Sequence, residues 1–228
     1  MTATPKTASS GPAILPDDRV LTRQGHAPGG TGRILLIGCG ALAREIMDLK
    51  AQNGWDHMDL TCLPAILHNH PEKITQAVRE AVARHRDRYE TIHVLYGDCG
   101  TGGLLQAACA EMGLEMLPGP HCYSFFEGTT AFAGRDEISA FYLTDFLVRQ
   151  FDAFVWQPLG LDRHPDLRAM YFGNYEKLVY QAQTEDAALT ALAQRHAERL
   201  GLAFERRQTG YGDLEASMAQ WAEQMDLD

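Results

Sequence analysis

Apolar positions follow two rhythms along this chain. RILLI (33–37) is a short unbroken apolar run. Gly38-Cys39-Gly40 follows it, then ALAREIMDLKAQNG, where Leu42, Ile46 and Leu49 fall at helical spacing before a stop at Gly54. MDLTCLPAIL (58–67) reads as a second strand interrupted at Pro64, and His68-Asn69-His70-Pro71 opens a helix with Ile74, Val78 and Val82 on one face. TIHVLY (91–96) is a third strand. The turn GDCGTGG leads from it into the helix LLQAACAEMG, and LEMLPG (114–119) is a short fourth strand. Strands alternating with helices of this length imply βαβ units, hence a parallel sheet with right-handed crossovers. Such sheets bind ligands beyond the carboxyl ends of their strands.

After residue 120 the pattern becomes helical. FYLTDFLVRQFDAFVW (141–156) and HPDLRAMYFGNYEKLVYQAQ (164–183) read as helices, the second broken near Gly173-Asn174. DAALTALAQRHAERLG (186–201) is an amphipathic helix, AFERRQTG (203–210) a last strand, and YGDLEASMAQWAEQM a closing helix with an Asp cap. The expected fold class is α/β: an open, mainly parallel, Rossmann-like sheet with flanking helices and a helix-rich C-terminal half. Residues 1–31, rich in Pro, Gly, Thr and Ser, are expected to be a flexible lead-in, with a short edge strand or packing on a neighbour as the alternatives for its few apolar residues. Residues 32–228 then form a single domain, with a sheet core over about 32–120 and a helical portion over about 121–228.

Composition narrows the function. The 228 residues carry a net charge of -10 and no Lys/Arg cluster, which argues against a nucleic-acid footprint. No apolar run approaches the roughly 20 residues that span a bilayer, and the N-terminus lacks the pattern of a signal peptide, so the cytoplasm is the expected location. Thiols stay reduced there, and the five cysteines point to metal binding or thiol chemistry rather than disulfides.

Three cysteines share one topological place. Cys39 ends strand one, Cys99 sits in GDCGTGG after strand three, and Cys122 sits in GPHCYSFFEG after strand four. In a parallel sheet those edges adjoin, so the three are expected to converge. A thiol near a helix N-terminus is favoured as thiolate, and thiolates bind zinc and iron. His121 is a candidate fourth metal ligand. Asp98 and Glu127 are candidate catalytic acids or bases. Gly38, Gly40, Gly97, Gly100 and Gly102 are candidates for turning backbone N–H groups toward a bound cofactor. Cys62 in a strand and Cys109 in a helix read as core residues. Gly38-Cys39-Gly40-Ala41-Leu42-Ala43 also fits the dinucleotide fingerprint that ends in Ala. The second strand ends in His and Asn rather than an acid, which argues against NAD and leaves a phosphate-bearing ligand. His68 and His70, at the end of strand two, read as exposed turn residues beside Pro71, with membership of the same site as the alternative; His93 reads as core, and Tyr123, Phe125 and Phe126 as pocket wall or core.

At GCGALAREI, LYGDCGTGG, PGPHCYSFFEG, FYLTDFLVRQFD, YFGNY and TGYGDLE, over roughly residues 32–216, the chain resembles the family called domain of unknown function 1638. The resemblance implies a setting of corrinoid-dependent methyl transfer, with a corrinoid protein or methyltransferase as partner. The chain has no D-x-H-x-x-G motif, so the resemblance does not imply that it carries cobalamin itself. The leading expectation is a metalloprotein in which Cys39, Cys99 and Cys122 bind zinc or a [4Fe–4S] cluster with one position open to a small-molecule ligand. The alternatives are a metal-free, racemase-like pair of cysteines acting as acid and base, and a non-catalytic ligand- or partner-binding module. A homo-oligomer is compatible with each; nucleic acid and membrane are not expected as partners.

Overall fold

The structure, a computed structural model, describes residues 16–224. The chain begins there with a short helix, α1 (Asp18–Arg23). It continues through β1 (Ile34–Cys39), α2 (Ala43–Asn53), β2 (Met58–Leu63), α3 (Ile74–His85), β3 (Thr91–Leu95), α4 (Leu104–Met112) and β4 (Glu115–Met116). All four strands pair in parallel, in the order β2-β1-β3-β4. Every residue of β1, ILLIGC, is buried. A strand covered on both faces is apolar throughout instead of alternating. α2 buries Ala43, Ile46 and Leu49 and stops at Gly54, whose φ of 67° closes the helix through a bond from its N–H to the Lys50 carbonyl.

The strand order decides where a ligand can go. From β1 the chain turns to β2 on one side, and β3 then adds on the other side of β1. The connections beyond the carboxyl ends of β1 and β3 therefore diverge, which leaves a crevice at that switch point. Cys39 is the last residue of β1, and the glycine-rich turn of residues 97–103 follows β3.

The second half is helix-rich but is not helical throughout. After β4 come α5 (Ser124–Glu127), α6 (Thr129–Gly134), β5 (Ala140–Leu143), α7 (Asp145–Arg149), a π-helical turn (Asp152–Trp156) and α8 (Leu167–Phe172). β6 (Lys177–Ala182), α9 (Ala187–Leu200), β7 (Ala203–Gln208) and α10 (Gly212–Gln224) complete it. β5, β6 and β7 form a second parallel sheet in that order. The helical reading of 141–156 is corrected at its start: Ala140–Leu143 is a strand, and Thr144 then caps α7 by accepting from the Leu147 N–H at 3.3 Å. The reading of 164–183 is corrected at its end. LVYQ within β6 is a buried run whose β-branched and aromatic residues suit a sheet, and an apolar run this short carries no period that separates helix from strand.

The expected flexible lead-in is corrected over residues 16–31; residues 1–15 lie outside the described residues. Asp17 caps α1 through the N–H groups of Arg19 and Val20. Leu21 is fully buried, and Asp18 pairs with Arg44 at 2.8 Å and with Arg149 at 2.6 Å. His26 then exchanges backbone hydrogen bonds with Cys62 (2.9 and 2.8 Å), laying the segment against the free edge of β2. One continuous apolar core runs through both halves of the molecule.

Candidate functional site

The turn after β3 is shaped from within. The Asp98 carboxylate accepts from the Gly103 N–H at 2.6 Å, the Thr101 hydroxyl at 2.9 Å and the Gly102 N–H at 3.1 Å. These bonds, that from Gly103 first, hold its pKa below the usual carboxylate value. Asp98 therefore organises the start of α4 and does not line the cavity. Two further bonds join this turn to the loop after β4: Asp98 N–H to Gly119 O at 2.8 Å and Cys99 N–H to Pro120 O at 2.9 Å. The approach needs a glycine at 97, where a Cβ would stand 2.9 Å from the Gly119 carbonyl oxygen.

This pairing of loops brings Cys99 to Cys122. Cys99 takes the left-handed backbone, φ 48°, uncommon for a side chain other than Asn, Asp or Gly, and its sulfur lies 3.1 Å from that of Cys122. Both thiols are free. The Cys122 thiol, as donor, lowers the pKa of Cys99 against the opposing effect of burial. The same contact, together with burial, pushes Cys122 well above the ordinary thiol range. The pair thus has a division of labour: Cys99 is the more acidic thiol and Cys122 keeps its proton.

Cys39 lines the same cavity, of about 260 Å³, as Cys99 and Cys122. The three cysteines converge because β1, β3 and β4 are neighbours. Burial pushes the Cys39 thiol up to about 12. Among the described residues, no group of three His, Cys, Asp or Glu side chains is already arranged around a common point to hold a metal ion. Two thiolates on one tetrahedral ion at about 2.3 Å stand about 3.8 Å apart. The Cys99–Cys122 pair, at 3.1 Å, is therefore about 0.7 Å too close for that geometry. The two sulfurs are of the type that takes a soft metal, and Cys39 lines the same cavity.

The other expected site residues divide. His121 lines the cavity and stacks on Tyr123 at 4.9 Å, and burial lowers its pKa, so the imidazole is neutral near pH 7. Gly100 lines the cavity too, while Gly102, at φ 63°, serves the turn. Gly38 and Gly40 serve packing. A Cβ on Gly38 would meet Ile46 at 3.0 Å, and one on Gly40 would meet the Leu21 carbonyl oxygen at 2.5 Å. That oxygen is delivered by α1 and packs over the turn. Glu127 is held elsewhere: it pairs with Arg135 and Arg207 and accepts from Gln181 at 2.9 Å, in an ion network with Glu137 and Lys177. It is a structural carboxylate.

Sequence reasoning passed over Tyr96, Leu147 and Phe154, and ranked His68 as a turn residue; all four line the cavity. Tyr96 follows β3 directly and is 1% exposed, and its hydroxyl lies against the Cys39 thiol. The signal for Tyr96 was its position one residue beyond the strand, next to the turn. Leu147 and Phe154 come from the second half and carried no signal.

Fold and site together define an open parallel α/β protein with a cysteine-lined crevice at the switch point of its sheet. The model of the family described as protein of unknown function (DUF1638) matches residues 62–218, and the chain belongs to that family. Cys99 and Cys122 fall inside the matched span and Cys39 precedes it. No curated protein and no solved structure matches the chain.

Proposed function

We propose that this protein is a thiolate-centred metalloprotein in which Cys99 and Cys122 hold a soft or borderline metal ion, zinc foremost, and Cys39 completes the set. The observation that carries this reading is the 3.1 Å contact between two free sulfurs on the wall of a cavity that the third cysteine also lines. A metal ion takes the place of the proton that the pair shares, and its charge offsets the burial that now opposes ionisation of Cys122 and Cys39. When bound, zinc lowers the pKa of a coordinated thiol or water and so supplies a nucleophile at neutral pH. The chain's own residues exclude water and fix the donors: Asp98 and Gly97 set the turn, and Tyr96 and His121 present neutral polar groups to the cavity. The [4Fe–4S] alternative uses the same three sulfurs. The family resemblance gives the site a direction, the acceptor side of a methyl transfer in the cytoplasm, with a corrinoid protein or methyltransferase as donor.

A second reading is favoured by the split acidity of Cys99 and Cys122. Without metal, Cys99 is a preformed nucleophile with Cys122 as its hydrogen-bond donor. The racemase-like version is disfavoured for this pair. A carbon held between two sulfurs at van der Waals contact needs them about 7 Å apart, and these two touch.

The deciding experiment measures zinc, iron and acid-labile sulfide in protein purified without oxygen, for wild type and for Cys39→Ser, Cys99→Ser and Cys122→Ser. About one zinc per chain, lost most completely in the Cys99 and Cys122 variants, supports the first reading. Iron with sulfide assigns the cluster. Metal-free wild-type protein overturns both and leaves the nucleophilic pair.

A further inference from the structure

The cysteine cavity does not end at its own walls. A second cavity, of about 350 Å³, shares His68, His121, Tyr123, Leu147 and Phe154 with the first. These five side chains border both chambers, at a common waist. Beyond it the second chamber is walled from the second sheet and the helices that follow, by Phe141, Tyr142, Leu159 and Tyr175 among others. The first chamber alone falls short of the roughly 300 Å³ at which small-molecule pockets usually begin, whereas the two together fall well within the usual range.

The chemistry of the walls is one-sided. Neither chamber is lined by an Asp, Glu, Lys or Arg side chain. A carboxylate or phosphate placed here would lose its hydration with no cation in the walls to replace it. Among the polar groups of the first chamber, the Tyr96 hydroxyl, 1% exposed, has the neighbouring Cys39 thiol as its partner. A thiol is a weak hydrogen-bonding group, so a ligand atom that meets this hydroxyl is favoured.

We infer that the two chambers form one binding channel for an uncharged molecule with an aromatic or branched hydrocarbon body. The body occupies the aromatic chamber, and one small soft or polar head passes the waist to meet the cysteines and the Tyr96 hydroxyl. This rests on the reading that the cysteine crevice is the working site. It names the substrate class, and in the metal-free site it excludes free amino acids, nucleotides and acyl phosphates.

The test uses alkylation of Cys99, followed by intact and peptide mass spectrometry on the full chain, as purified and after chelation. The probes are N-methylmaleimide, N-benzylmaleimide and the pair iodoacetamide and iodoacetate, each referenced to its rate with glutathione. The benzyl-to-methyl ratio at Cys99 is expected to exceed that of glutathione by about tenfold, from the apolar area the ring buries. Iodoacetate is expected to be excluded relative to iodoacetamide. Leu159→Trp fills the far chamber without touching the cysteines, and is expected to return the ratio to that of glutathione. Tyr175→Ala enlarges the chamber and keeps the ratio high, which guards against a Trp variant that fails to fold. A wild-type ratio equal to that of glutathione, or one untouched by Leu159→Trp, overturns the channel. Metal content plays no part in this readout: metal-free protein with a high ratio removes the metal and keeps the channel, and metal-loaded protein that after chelation has a flat ratio does the reverse.

Discussion

The sulfur atoms of Cys99 and Cys122 lie 3.1 Å apart, although 23 residues separate them in the chain. Two backbone hydrogen bonds, from Asp98 and Cys99 to Gly119 and Pro120, tie their loops together, so the contact is a property of the fold rather than of two flexible side chains. The consequence is an acidity difference between two chemically identical groups.

That difference predicts selective alkylation. At pH 7 iodoacetamide is expected to modify Cys99 first. Cys122→Ala removes the donor to the Cys99 thiolate, and its rate is expected to fall about tenfold, since a hydrogen bond to a charged group contributes about 1.5–3 kcal/mol and a thiol is a weak donor. Competition labelling with peptide mass spectrometry across pH 6 to 10 reads both thiols. Equal rates for the two in wild type would remove the division of labour.

Gly97→Ala tests the joined loops. The added Cβ would stand 2.9 Å from the Gly119 carbonyl oxygen and against the His121 backbone, so one loop must retreat. The expected cost is about 1–3 kcal/mol, measured by urea unfolding. Cys99 should also lose its rate advantage, because the Cys122 thiol withdraws with its loop. Unchanged reactivity in a folded variant would mean that the thiols meet without this approach.

Two buried groups make stability depend on pH in opposite senses. Burial pushes the Glu45 carboxyl up to about 7 from 4.5, so the folded state holds a proton that the unfolded state releases. The contribution is full below pH 4.5 and is lost as pH rises through 7. Burial lowers His93, stacked on Trp221 at 4.2 Å, to about 4 from 6.5. Here the unfolded state takes up the proton, so the contribution is full above pH 6.5 and is lost as pH falls toward 4. Each swing is roughly 3 kcal/mol. Between about pH 4.5 and 6.5 the two oppose each other. Glu45→Gln is expected to make stability rise with pH across that window, and His93→Phe to make it fall. Denaturation midpoints at pH 4.5, 5.5 and 6.5 give both slopes.

Asp18 joins three parts of the chain through Arg44 on α2 and Arg149 on α7. Asp18→Asn keeps the shape, removes the charge and leaves two guanidinium groups without their carboxylate. A cost of about 2 kcal/mol is expected, between the values for surface and buried pairs. In a chain of this size that lowers the melting temperature by about 4–8 °C. No change in melting would mean that α1 is not held by this pair.

The first sheet was legible because its short, largely apolar runs, ILLI and IHVLY, each end at a glycine and alternate with segments of helical period. The three cysteines were legible from topology alone, since parallel strands put their carboxyl ends on one edge. Of the second sheet only the last strand was legible, at AFERRQTG; FYL and LVYQ are too short to carry a period and sit beside helical residues. The order of residues 16–31 was hidden for another reason: their composition suits disorder, and what fixes them is the long-range pairing of Asp18 and the burial of Leu21. Glu127 and Asp98 show the limit at the site. Both were reasonable acids by type, and only distances reveal that one serves an ion network and the other a turn.

The span shared with the family, residues 62–218, begins after β1 and within β2. In the folded chain β1 is an inner strand, hydrogen-bonded on one side to β2 and on the other to β3. A chain cut to the shared span would keep Cys99 and Cys122 but would present the bare flank of β3, Thr91–Leu95, to its surroundings. Unpaired amide and carbonyl groups along an apolar strand recruit other strands. The span matched by the family model is thus smaller than the unit that closes the sheet around β1, and the shorter piece would carry an open strand edge.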